Sequence, residues 1–314
     1  MSFAVKTKNE IARLKFKRDC CIRAELTALI HMNGSLQITG GEFVLIINTE
    51  NPAVARRIFL LLKKTFNYNT DILVRKKTRL KKNNIYMVRV SESEKVKEIL
   101  SDLEIVTGGD NLNKFNKSIA EKIFHKKCCR RAYLRGAFLA RGYINSPDSS
   151  YHLEINTEYE EQGEEIIKLL SHFNILAGMV SRKNSFVVYL KDGHKIVELL
   201  NIIGAHQALF QYENVRIIKE MRNKINRLVN CETANLNKTV NAALNQLESI
   251  RIVNRAIGIQ NLPDSLKQIA ELRIKYPEAN LQEMGEMFTP PLSKSGVNHR
   301  LRKIGKIAQQ LRKK

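Results

Sequence analysis

The feature that most narrows what this chain can fold into is an internal duplication. Residues 20–62 overlay residues 128–170 at a constant offset of 108, without a gap, and 14 of the 43 aligned pairs are identical. Chance would give roughly three, so the two stretches are copies of one supersecondary unit. The matches include Cys20-Cys21 with Cys128-Cys129, Arg23 with Arg131, Ala24 with Ala132, Leu26 with Leu134, Gly34 with Gly142, and Asn48-Thr49-Glu50 with Asn156-Thr157-Glu158. Each copy reads helix, strand, strand, helix, strand, strand, helix. The repeats, at about 20–105 and 128–205, must each cover the apolar face of a sheet. That predicts one pseudo-twofold α+β domain over residues 1–212.

Local signals set the expected elements. A helix over 20–33 should stop at Gly34 in a left-handed cap, where glycine lacks the Cβ penalty. Strands over 35–39 and 42–48 then pair through a Gly40-Gly41 turn. Thr49 is the expected cap of a helix whose Val54, Ile58, Leu61 and Leu62 recur at helical spacing. Alternation predicts strands over 71–77 and 85–90. In the second copy the same reading gives strands over 143–145, 151–156, 178–182 and 185–190, with helices over 160–173 and 191–203.

The first helix of each copy resembles the motif helix of the LAGLIDADG homing endonucleases. Residues 134–142 match the motif's length and glycines, and residues 26–34 match it more loosely. The resemblance implies two motif helices side by side at the domain centre, where Ala28, Gly136 and Ala140 allow a short interaxial distance. It also maps the family's metal-binding acids onto Asn33 and Arg141. Cleavage in that family needs carboxylates that hold hard divalent cations, and neither an amide nor a guanidinium supplies an anionic ligand. The duplicated Glu50 and Glu158 are the alternative acids, but each follows a helix cap, where a carboxylate also complements the helix dipole. The expectation is a domain without catalytic residues, metal or cofactor.

Five cysteines, Cys20, Cys21, Cys128, Cys129 and Cys231, include two vicinal pairs. Vicinal cysteines rarely bond each other, and CC lacks the spacing of a zinc knuckle even with His125 nearby. They are read as small apolar residues at helix starts, with neither a disulfide framework nor a metal centre expected.

Charge indicates the class of partner. The net charge of +22 favours a polyanion. No run of about 18 apolar residues offers a membrane span, and the N-terminus lacks a signal peptide's apolar core, so a cytoplasmic, nucleoid-associated protein without membrane contact is expected. Residues 1–114 carry 21 Lys+Arg against 12 Asp+Glu, residues 115–215 carry 13 against 11, and residues 216–314 carry 19 against 8. In the first repeat, Arg75, Lys76, Lys77, Arg79, Lys81 and Lys82 gather at a hairpin that either follows a groove or is a solvated turn. Residues 213–250 read as a connector of two helices, one with Ile225, Leu228 and Val229 and one with Leu236, Val240, Ala243 and Leu247. There Arg222, Arg227 and Lys238 are accessory phosphate-contact candidates, against a reading of interdomain hydrogen bonds for the Asn-rich run.

Residues 251–314 carry the clearest motif. Leu266, Ile269 and Ala270 mark a helix that ends before Pro277. Asn280 with Glu283 forms a capping box for a short second helix, and Pro290-Pro291 ends it. Ser293 or Ser295 caps a third helix to about Lys303, in which Val297, Leu301 and Ile304 face a core. Ser295, Asn298, His299 and Arg302 share another face, and Asn and Arg can make bidentate contacts to adenine and guanine. Together with Ser293, Lys294, Arg300 and Lys303 they are the candidate DNA-binding residues of a helix-turn-helix similar to sigma-factor region 4. A plain three-helix bundle with a charged face is the alternative.

The order of these parts, with residues 231–239, 281–287 and 293–304, closely resembles the WhiA family across essentially the whole chain. The resemblance implies a bacterial DNA-binding transcription regulator linked to sporulation in filamentous species and to cell division and chromosome segregation elsewhere. Its expected partners are double-stranded promoter DNA and the transcription machinery or a co-regulator. An active LAGLIDADG-type endonuclease, and an interaction scaffold of the division machinery, are the competing classes.

Overall fold

A computed structural model describes residues 1–76, 84–106 and 118–312. They form two compact units, Met1–Lys219 and Glu220–Lys314, each with its own apolar core.

The first unit begins with α1 (Phe3–Ala12), capped by the Ser2 hydroxyl. Only Ala4, Thr7 and Ile11 of this helix are buried, too sparse a stripe to be seen in the sequence. The first repeat then follows as α2 (Asp19–Asn33), β1 (Gly34–Thr39), β2 (Glu42–Thr49), α3 (Pro52–Phe66), β3 (Asp71–Arg75), β4 (Ile85–Val90) and α4 (Ser93–Asp102). After α5 (Glu121–His125), the second repeat supplies α6 (Lys127–Arg141), β5 (Gly142–Ile144), β6 (Leu153–Thr157), α7 (Glu160–Ser171), β7 (Gly178–Arg182), β8 (Ser185–Leu190) and α8 (Gly193–Ile203). The repeats build equivalent antiparallel sheets, ordered β1-β2-β4-β3 and β5-β6-β8-β7. This is the duplicated LAGLIDADG-like architecture.

Two local expectations are corrected. Gly34 is not a left-handed cap; its backbone is extended, with φ −79° and ψ 142°. A Cβ there would lie 2.4 Å from the Ile30 carbonyl oxygen, so glycine lets the chain pass directly from α2 into β1. Thr49 ends β2 and does not cap α3. Asn51 does, accepting from the backbone N–H groups of Ala53 and Val54 at 2.8 and 3.3 Å. Pro52 has no N–H to donate and its fixed φ suits the first helical position, which moves the cap to the residue before it. The Gly40-Gly41 turn is as expected, with φ +62° and +83°.

The motif helices α2 and α6 pack at the centre. A Cβ on Gly136 would meet the Glu25 carbonyl oxygen at 2.4 Å and the Ala28 Cβ at 2.8 Å, so any side chain would force the helices apart. The helix pair also buries an ion pair. Glu25 and Arg57, each 2% exposed, are joined through both carboxylate oxygens. Arg57 also donates to the carbonyl oxygens of Leu14 at 2.7 Å and Ala12 at 3.2 Å, and Arg135 of the second repeat reaches Glu25 at 3.3 Å. The duplication has diverged here. Positions 133 and 165 hold Tyr133 and Glu165, and burial raises the Glu165 carboxyl above its usual range.

Nearby, the His31 Nδ1 lies 3.1 Å from the Tyr133 hydroxyl, and its Nε2 is buried without a partner among the described residues. Burial lowers its pKa from 6.5 to about 4. The unfolded chain therefore takes up this proton first as pH falls, so His31 should remove up to about 3 kcal/mol of stability between pH 6.5 and about 4. Urea unfolding of wild type and His31→Asn at both ends of this window should diverge by that amount. Parallel curves would contradict a neutral, buried imidazole.

A single helix, α9 (His206–Ala256), spans residues 213–250, expected as two helices. The Asn-rich run is no break, because no proline or glycine occurs between Gly204 and Gly258. The second unit packs Ile250 and Val253 of α9 with α10 (Asp264–Lys275), α11 (Leu281–Glu286) and α12 (Lys294–Arg312).

Candidate nucleic-acid interface

The second unit is an all-α helix-turn-helix fold whose turn is held by polar groups. Asn280 and Glu283 form the expected capping box: the Asn280 side chain accepts from the Gln282 and Glu283 N–H groups, and the Glu283 carboxylate accepts from the Asn280 N–H at 2.8 Å. Arg273, 2% exposed, donates to the carbonyl oxygens of Ala279 at 2.7 Å and Pro277 at 3.3 Å, fixing the loop between α10 and α11. Ser293 opens α12, its hydroxyl accepting from the Gly296 N–H at 3.2 Å and its carbonyl from the Val297 N–H at 3.0 Å.

Along α12 the buried residues are Val297, Leu301, Ile304 and Ala308. Their spacing of four, three and four leaves the opposite face to Ser295, His299, Arg302, Lys303 and Lys306, all exposed. Lys294 is exposed at its start. Asn298 sits at the flank, half-buried, in a groove of about 560 Å³ that it lines with Asn245, Ser249, His299 and Arg302. Arg300 stacks over the Phe288 ring at 5.5 Å, against the preceding turn. Lys306 joins this face because α12 continues past Lys303, where the sequence reading ends it; the signal for the extension is the apolar spacing through Ala308.

The accessory candidates are scattered. Lys238 borders a second groove with Asn280, Gln282 and Lys294, and so approaches the start of α12. Arg222 and Arg227 are exposed on α9 outside both grooves. Arg75 and Lys76 are exposed at the end of β3, whereas Lys77, Arg79, Lys81 and Lys82 lie outside the described residues.

At the motif-helix ends in the first unit, Asn33 and Arg141 do meet. The Arg141 Nε donates to the Asn33 Oδ1 at 3.0 Å, and its Nη2 pairs with Glu158 at 2.6 Å. Lys8 of α1 reaches the Ala140 carbonyl oxygen at 3.5 Å. Burial lowers the Lys8 pKa to about 8, and the nearby Glu50 carboxylate opposes that shift. The positions of the duplicated acids thus surround a guanidinium and an ammonium, in a cleft that Asn33, Glu50, Lys8 and Arg141 line together. Cationic groups there repel a divalent metal.

Comparison with known proteins follows this division. Residues 19–106 match the WhiA N-terminal LAGLIDADG-like domain, residues 130–222 the WhiA LAGLIDADG-like domain, and residues 225–308 the WhiA C-terminal HTH domain. The chain is 52% identical over 314 residues to a "Probable cell division protein WhiA" of Bacillus subtilis, covering 99% of this chain and 98% of that one. A relative of the same name from Natranaerobius thermophilus is 52% identical over 311 residues, with 99% and 96% covered. The chain belongs to the WhiA family. Full-length DUF199/WhiA from Thermatoga maritima has a similar structure, with a TM-score of 0.62 at 26% identity over 99% of both chains. The isolated LAGLIDADG domain of DUF199/WhiA matches at a TM-score of 0.51 and 26% identity, covering 65% of this chain and 90% of that one. Both halves of the WhiA architecture are therefore present: a duplicated LAGLIDADG-like unit and a helix-turn-helix unit. Among the described residues no helix is long and apolar enough to cross a membrane.

Proposed function

We propose that this protein is a non-catalytic transcription regulator of cell division that binds promoter DNA through α12. By this reading its targets include chromosome-segregation genes and, in a sporulating host, sporulation genes; it works on the nucleoid with the transcription machinery or a co-regulator. The observation that carries the reading is the outer face of α12, where Ser295, His299, Arg302, Lys303 and Lys306 are exposed opposite the buried Val297, Leu301, Ile304 and Ala308. A helix so presented can enter a major groove, with Arg302 able to grip guanine and the lysines able to contact phosphate. The relatives' name supports the division role. The Arg141 link between Asn33 and Glu158 supports the loss of nuclease chemistry, since it uses an acid and a cation where a metal would need carboxylates.

The test compares a preferred site, found by genome-wide mapping of bound DNA, with a scrambled duplex at one fixed salt concentration. Arg302→Ala removes a base contact of about 1–3 kcal/mol and should weaken specific binding roughly 5- to 150-fold. Lys306→Ala should weaken both duplexes alike and lower the salt slope by about one. An unchanged ratio of specific to non-specific affinity in a folded Arg302→Ala variant rules α12 out as the reader. Supercoiled DNA incubated with magnesium or manganese should stay uncut; cleavage abolished by Glu158→Gln would overturn the non-catalytic reading.

A further inference from the structure

We propose that Cys20, Cys128 and Cys129, with Cys21 beside them as the fourth ligand, form a single zinc site that fastens the two repeats together. The absence of a knuckle spacing argues against zinc only if one loop must supply two ligands. Here the two pairs lie in the first turns of α2 and α6, and the side-by-side packing of those helices brings residues 108 positions apart to one place. The ligand atoms of Cys20, Cys128 and Cys129 all lie within 4.8 Å of one another, and the Cys128 and Cys129 sulfurs are 4.0 Å apart. Four thiolates held tetrahedrally at about 2.3 Å from zinc have sulfur–sulfur separations of about 3.8 Å, so the observed spacing needs only a small contraction.

The other contacts complete the set. Cys21 follows Cys20 on α2 and lines one cavity with Cys128, which makes it the candidate for the fourth ligand. The Cys129 thiol also reaches the Cys20 carbonyl oxygen at 3.6 Å, from one motif helix to the other. Cys129 is buried and the other three are half-buried, so the cluster is closed to bulk water on one side but reachable by an ion. An all-sulfur set selects a soft or borderline cation over magnesium, calcium or manganese. Two helix N-termini and the cation of Arg18, which acts on Cys128, offset the negative charge that four thiolates leave around one zinc. The cluster stands at the start of the motif helices, and Asn33 and Arg141 stand at their ends, so this site is separate from the one the endonucleases use.

The test uses the full-length chain, reduced and stripped of metal with a chelator. Zinc should then bind at one ion per chain, and cobalt should give thiolate charge-transfer absorption with the visible bands of a tetrahedral site. Zinc should raise the melting temperature of the wild type, since a metal that binds only the folded state stabilises it. Cys128→Ser/Cys129→Ser should lose the cobalt spectrum and the zinc-induced rise. Cys231→Ser, an exposed position on α9, should keep both. If the double variant fails to fold, the wild-type cobalt spectrum decides. Its absence, its persistence in a folded double variant, or isolation of these thiols as disulfides that take up no zinc after reduction would overturn the proposal.

Discussion

Replacing Glu25 with alanine should lower the unfolding free energy of the first unit by about 3–5 kcal/mol, enough to unfold much of it at physiological temperature. The cost comes less from the lost attraction than from what stays behind. Arg57 remains 2% exposed and cationic, with two carbonyl oxygens but no anion, and Arg135 loses its carboxylate partner as well. Urea denaturation followed by circular dichroism gives the number. A Glu25→Gln variant should recover part of it, since an amide still accepts a hydrogen bond but carries no charge. A loss below about 1 kcal/mol for Glu25→Ala would mean that the pair contributes no more than an exposed salt bridge does.

Val297→Asp should remove specific and non-specific DNA binding by the second unit together. Val297 is 0% exposed, packed with Leu301, Ile304 and Met284. The change gives up about 1.5–3 kcal/mol of apolar burial and leaves an unpaired carboxylate, for a total above about 4 kcal/mol. With α12 as the proposed reader, Val297→Asp and Arg302→Ala should separate two roles on one helix: the first removing the fold, the second only the discrimination between sequences. The two are told apart by proteolysis of the C-terminal unit, rapid for Val297→Asp and unchanged for Arg302→Ala. Wild-type protease resistance in Val297→Asp would place this residue outside any essential core.

The duplication and the core periodicity were legible because they are properties of spacing. Val297, Leu301 and Ile304 are buried as their intervals require, and strands β7 and β8 begin and end where alternation puts them. What could not be read depends on neighbours distant in the chain. Glu25 and Arg57 look like surface charges in sequence; only the packing of α1, α2 and α3 buries them. The caps show the same limit. Thr49 and Asn51 are both good capping residues, and Pro52 as the first residue of the helix decides which one serves. Within the candidate interface, residue type could name Asn298 and Arg302 together, but it could not show that both line one groove, with Asn298 half-buried and Arg302 exposed.

The link from Arg141 to Asn33 and Glu158 makes the two acid-introducing substitutions at these positions unequal. Arg141→Asp as the first change removes the guanidinium from the exposed Glu158 and sets a second carboxylate beside it. Asn33→Asp as the first change gives Arg141 a further anionic partner in place of an amide oxygen. Yet while Arg141 remains, the added acid is neutralised by the guanidinium rather than free for a metal. On the proposed non-catalytic reading, an acid at position 33 alone therefore adds charge to this cleft without adding a metal ligand, and only the further loss of the Arg141 guanidinium would free it.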